Sequence, residues 1–122
     1  MKKILLISIS ILISILIVLF AISYNNSKFT TEKWINNPSL RYKMIETLEG
    51  NYHLQGKTYQ EIIDILGEPD EKWEHNFDVG HHVYFKYYIG KEHYFFEMMW
   101  EPNMYLITFR DGFVLGTSVQ PT

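Results

Sequence analysis

The residues that could do chemistry are five histidines, His53, His75, His81, His82 and His93, and the carboxylates Glu74, Glu97 and Asp111 near them. Histidine clusters invite a metal site, but no pair has H-x-x-x-H or H-x-H spacing. There is no cysteine. That removes thiolate zinc ligands, thiolate nucleophiles and disulfides together. His81 and His82 are neighbours on a predicted strand and must point to opposite faces. His75 is expected inward beside Val83, and His93 opposite Tyr88, at the far end of a hairpin from His82. Acid–base catalysis needs convergent carboxylates in a cleft. Glu74 and Glu97 fall instead on an open sheet face, and Asp111 in a turn. A nucleophile elbow and a phosphate loop are missing as well. The reading is a non-enzymatic chain with no catalytic, cofactor or metal site.

The elements that carry these residues follow from a change of period. From Glu71 onward apolar residues alternate every second position, which predicts strands at 71–77, 81–89, 92–100, 105–110 and 113–119. Gly90-Lys91 suits a two-residue turn, pairing Val83 with Met98, Phe85 with Phe96 and Tyr87 with Tyr94. Asp78-Val79-Gly80 suits a three-residue loop, placing His75 opposite Val83 and Trp73 opposite Phe85. A loop from Glu101 to Met104 aligns Trp100 with Tyr105, Met98 with Ile107 and Phe96 with Phe109. Asp111-Gly112 suits a type I′ turn and pairs Phe109 with Val114. All four turns agree on one inner face: Trp73, Val83, Phe85, Tyr87, Phe96, Met98, Trp100, Ile107 and Phe109.

The opposite face should be polar if water covers it. It carries Tyr84, Tyr88, Phe95, Met99, Leu106, Phe113 and Leu115 among Glu74, His82, Lys86, Glu97, Thr108 and Arg110. Lys86 and Glu97 lie diagonally and can pair. Apolar patches above a few hundred Å² usually mark contact surfaces. Tyr84, Tyr88, Phe95, Met99 and Leu106 are therefore the candidate partner-binding residues. The competing expectation is that Phe29, Trp34 and residues 24–37 fold over this face.

Two helices precede the strands. The first starts at Asn37-Pro38, carries Leu40, Met44, Ile45 and Leu48 at helical spacing, and ends at Gly50. The second opens on Thr58-Tyr59-Gln60-Glu61, a capping box. Gly67 stops it and Pro69 prevents continuation. The fold class is α+β: an N-terminal transmembrane helix, then two helices packed on one face of a small antiparallel β-meander.

Residues 4–23 are apolar, uncharged and free of proline. Twenty residues at about 1.5 Å each reach about 30 Å, the thickness of the hydrocarbon core. A cleaved signal peptide is the rival reading, with Ala21-Ile22-Ser23 as its cleavage site, but the apolar run exceeds the usual length. Lys2 and Lys3 favour an inside N-terminus. The chain thus divides into an anchor (1–23), a linker (24–37) and an α+β domain (38–122). The protein is expected in the membrane as a single-pass chain, with its C-terminal domain extracytoplasmic. Without Lys2 and Lys3 the remainder carries a charge of about −5, which argues against nucleic acid and against an anionic lipid surface as partners.

The stretch Leu54-Gln55-Gly56-Lys57-Thr58-Tyr59-Gln60-Glu61-Ile62, followed by Leu66-Gly67-Glu68-Pro69, resembles the SmpA/OmlA family, small outer-membrane lipoproteins associated with the β-barrel assembly machine. β-Lactamase-inhibitor-like proteins share the motif and fold. The resemblance implies two helices on a small sheet. This chain departs from the family in lacking the lipobox cysteine, and an apolar helix stands in its place. That implies a membrane-anchored relative from a bacterium with a different envelope. The expected function is an envelope protein-interaction module, a scaffold or accessory subunit. The expected partner is another envelope protein or a second copy. The alternative is a membrane-bound immunity or inhibitor protein that blocks a toxin or secreted enzyme.

Overall fold

A computed structural model describes residues 1–90 and 103–121. Helix α1 (Lys2–Ser27) is followed by α2 (Thr31–Asn36), a 3-10 helix (Pro38–Lys43), α3 (Ile45–Asn51) and α4 (Tyr59–Leu66). Strands β1 (Glu71–Phe77), β2 (Gly80–Gly90), β3 (Asn103–Arg110) and β4 (Phe113–Pro121) form one antiparallel sheet in the order β1-β2-β3-β4. The fold is α+β, with the short helices on one face of the sheet.

Helix α1 is long and apolar enough to cross a membrane, and it buries nothing against the rest of the chain. Its serines do not leave polar groups stranded. Ser8 and Ser14 return their hydroxyls to the carbonyls of Ile4 and Ser10 at 2.8 and 2.9 Å. At its end the helix is fastened to the domain. The Thr47 hydroxyl donates to Ser27 O and accepts from Phe29 N, both at 2.7 Å. Lys33 Nζ donates to Asn25 O at 2.6 Å.

Helix α2 exists because Thr30 caps it, accepting from Lys33 N at 3.1 Å. It drives Trp34 into the middle of the core, with no exposed area. The indole meets Tyr87 and Tyr105 edge-on, with centroids 5.9 and 6.0 Å away, and Phe29 packs beside it. Ile62 and Leu66 of α4, Leu48 of α3, and Val83, Phe85, Ile107, Phe109 and Val114 of the sheet complete the core. Full burial of one such side chain stabilises by about 1.5–3 kcal/mol.

The predicted cap of α4 is formed: Thr58 Oγ1 accepts from Glu61 N, and the Glu61 carboxylate accepts from Thr58 N. Gly67 ends the helix at φ +76°, and its carbonyl accepts from Tyr87 OH at 2.8 Å. A second tie is ionic. Arg41 is almost fully buried, with its guanidinium over Trp34. It donates to Trp34 O, Tyr88 O and Asp70 Oδ2, at 2.6, 3.0 and 3.2 Å. The same Asp70 oxygen accepts from Tyr88 N at 2.7 Å. This binds the 3-10 helix, the turn after α4 and the end of β2 into one unit. Gly90 makes the closeness possible: at φ +91°, a Cβ there would overlap the Ser39 carbonyl.

Several expectations change. Strand β2 pairs directly with β3, Val83 with Phe109, Phe85 with Ile107 and Tyr87 with Tyr105. Its other side is taken by β1. The expected pairings of Val83, Phe85 and Tyr87 with Met98, Phe96 and Tyr94, and of Met98 and Phe96 with Ile107 and Phe109, involve partners outside the described residues; among the described residues both sides of β2 and of β3 are held by neighbouring strands. Residues 92–100 lie outside the described residues. The first hairpin closes through Asp78 and Val79 alone, pairing Phe77 with Gly80 and Trp73 with Tyr84. A slip of one residue exchanges faces. Trp73 and His75 consequently lie on the face away from the helices, and Lys72, Glu74 and Asn76 take the expected inner positions. The first predicted helix is a 3-10 turn followed by α3, and Gly50 lies inside α3 rather than ending it. Phe29 and Trp34 enter the core instead of covering the outer face. The Asp111-Gly112 turn is as predicted: both residues have positive φ, and Phe109 pairs with Val114.

Candidate interaction surface

Register defines the outer face in rows across the sheet. His75, His82, Arg110 and Phe113 form one row, and Trp73, Tyr84, Thr108 and Gly116 the next. Glu71, Lys86, Leu106 and Ser118 follow, and Tyr88, Met104 and Gln120 close the face. Three of the five predicted residues can be placed. Tyr84 and Tyr88 are half-buried on this face, and Leu106 is 9% exposed between them and β4. Phe95 and Met99 lie outside the described residues.

The structure adds a cluster around Trp73, His75 and Phe77, of which Trp73 and His75 were expected on the inner face. Trp73 is 61% exposed and Phe77 47%. Lys86 Nζ sits 4.4 Å from the Trp73 ring centroid, a cation–π contact; Glu97, its expected partner, is outside the described residues. His75 and Phe77 pack tilted at 4.2 Å, Phe77 meets His82 edge-on at 5.0 Å, and His82 stacks on Tyr84 at 6.4 Å. The alternation of Trp73, His75 and Phe77 was visible in the sequence. Its direction depended on a one-residue difference in turn length.

The histidines do not converge. His82 packs among the outer aromatics, whereas His81 bonds Asn76 on the other face, 3.8 Å from Glu74. His53 lines a separate cavity of about 520 Å³ with Glu49, Tyr52 and Thr117. There Glu49 Oε1 accepts from Tyr105 OH and Thr117 Oγ1, at 2.9 and 2.8 Å. Among the described residues no three His, Asp or Glu side chains gather as a metal site. Burial pushes the Tyr87 and Tyr105 phenols well above the usual range, with Glu68 adding to the shift at Tyr87 and Glu49 at Tyr105. Both hydroxyls are neutral donors within the core.

No family model matches the chain, and neither does any curated protein or solved structure. The reading of the surface therefore rests on its own chemistry.

Proposed function

We propose that this chain is a membrane-anchored, extracytoplasmic interaction module of the cell envelope, SmpA/OmlA-like in layout and non-catalytic. Its binding face is the outer sheet surface with Tyr84, Tyr88 and Leu106, extended by Trp73 and Phe77; Phe95 and Met99, which the sequence alternation assigns to the same face, lie outside the described residues. The observation that carries the reading is the character of that face. Large aromatic side chains occupy it where a solvated antiparallel sheet should be polar. Aromatics and Met are the residue types enriched at interface cores, where a few anchors dominate affinity. The anchor supports the location: an uncharged apolar helix with Lys2 and Lys3 at its start.

Replacing Tyr88 and Phe95 together with Ser in the full chain tests the face. Capture of envelope partners from solubilised membranes should weaken while the urea midpoint in detergent holds. A fall in that midpoint with capture unchanged would overturn the assignment. Alkaline phosphatase fused after Thr122 should be active, and an inactive fusion would reverse the orientation.

A further inference from the structure

We propose that the outer edge of β1 pairs with the same edge of a second copy, antiparallel and centred on Trp73, to continue the sheet across two chains. The edge is exposed and built for a particular register. All seven residues of β1 are exposed, and among the described residues nothing pairs with the side away from β2. Which backbone groups face that side follows from the ladder. His81 O accepts from Asp111 N on the β3 side, while Lys86 O accepts from Asp70 N on the β1 side. Antiparallel residues alternate, so the even residues of β2 bond β1 and the odd ones bond β3. In β1, Glu71, Trp73, His75 and Phe77 then bond β2. Lys72, Glu74 and Asn76 present their N–H and C=O groups to the open edge.

Only registers that place these even residues opposite one another can form a ladder. Centring on Lys72 sets two lysines face to face, and centring on Glu74 sets two glutamates; centring on His75 sets Glu74 against the uncharged Asn76 and carries Lys72 past the end of the strand, to the turn at Asp78. Centring on Trp73 places Lys72 opposite Glu74 of the second copy, and Glu74 opposite its Lys72. Within one chain Lys72 Nζ already lies 3.2 Å from Glu74 Oε1. The second copy would close this pair into an alternating quartet. Trp73 would meet its own copy in a non-hydrogen-bonded pair on the outer face, where side chains come closest. The two-fold axis of such a pair stands perpendicular to the sheet. Both helical layers, and the α1 helices leading into them, then lie on the same side, as two anchors in one membrane require. The inference borrows only this last point from the proposed function. Pairing in detergent is tested without reference to orientation or to other partners.

The chain has no cysteine, so single cysteines report the register directly. In the full chain, Trp73→Cys should form a disulfide dimer under mild oxidation, because a non-hydrogen-bonded pair brings Cα atoms to about 4.5 Å, within disulfide range. His75→Cys should not, since its copy would lie about four residues along the ladder, roughly 13 Å away. Equal rates for the two would overturn the proposal. A charge swap tests it without cysteine. Lys72→Glu or Glu74→Lys alone should weaken dimerisation by about tenfold, and the two together should restore it. A wild-type chain that is monomeric in detergent, or a swap that does not rescue, would also overturn it.

Discussion

Strands β1 and β2 are paired over seven positions, yet one is part of the core and the other is not. Val83, Phe85, Tyr87 and Ile89 of β2 are buried under the helices, while every residue of β1 is exposed. The two alternate equally well in sequence. What separates them is cover: Tyr59 of α4 closes over Phe85 and Phe109, and the 3-10 helix lies against the end of β2. Beneath Lys72 and Glu74 the helix-side face is open to water. An aromatic alternation therefore states that one face is apolar, and only the helical layer decides whether that face is inside.

The sharpest way to break the comparison is to remove the centre of the covered side. Trp34→Ala should cost about 3–5 kcal/mol, read as the urea midpoint of the full chain in detergent. Alkali attacks the same region. Tyr87 and Tyr105 have phenol pKa values raised by burial. Their contribution is fully present below the unfolded value near 10 and is lost as pH climbs through the folded value. Stability measured against pH should hold to about pH 10 and fall above it, and Tyr87→Phe should flatten part of that fall. Thr58→Ala should cost about 0.5–2 kcal/mol by removing the cap of α4, and an unchanged midpoint would contradict the observed capping box. On the uncovered side, Trp73→Ser should stay within about 0.5 kcal/mol at chain concentrations too dilute for pairing, because its burial within one chain is slight and its main neighbour is Lys86. A loss as large as that from Trp34→Ala would erase the distinction between the two strands.

Local chemistry was legible. Thr58 and Glu61 announce a helix start, Gly67 its stop and Asp111-Gly112 a hairpin, because each depends on neighbours a few residues away. Long-range choices were not. Gly80 at φ +134° fits a two-residue turn as well as the predicted three-residue loop, and the difference turned Trp73 and His75 outward. Similar aromatic runs at 81–89, 92–100 and 105–110 all satisfy the same period, so periodicity could not say that β2 and β3 are direct neighbours. Trp34 stood in a polar stretch that read as a linker. Its place in the core depends on the Thr30 cap and on Arg41 reaching its carbonyl, neither of which leaves a periodic trace. For the candidate surface, the outward positions of Tyr84, Tyr88 and Leu106 follow from the alternation of β2 and β3. Trp73 and Phe77 required the hairpin register.

The junction at Thr47 has a mechanical meaning. The last turn of α1 is locked to α3 through one hydroxyl and to α2 through Lys33, and only a few residues separate the apolar run from the core. Such a neck leaves little freedom to swivel. A torque applied to α1 would therefore arrive at the sheet as rotation rather than being lost in a loose linker.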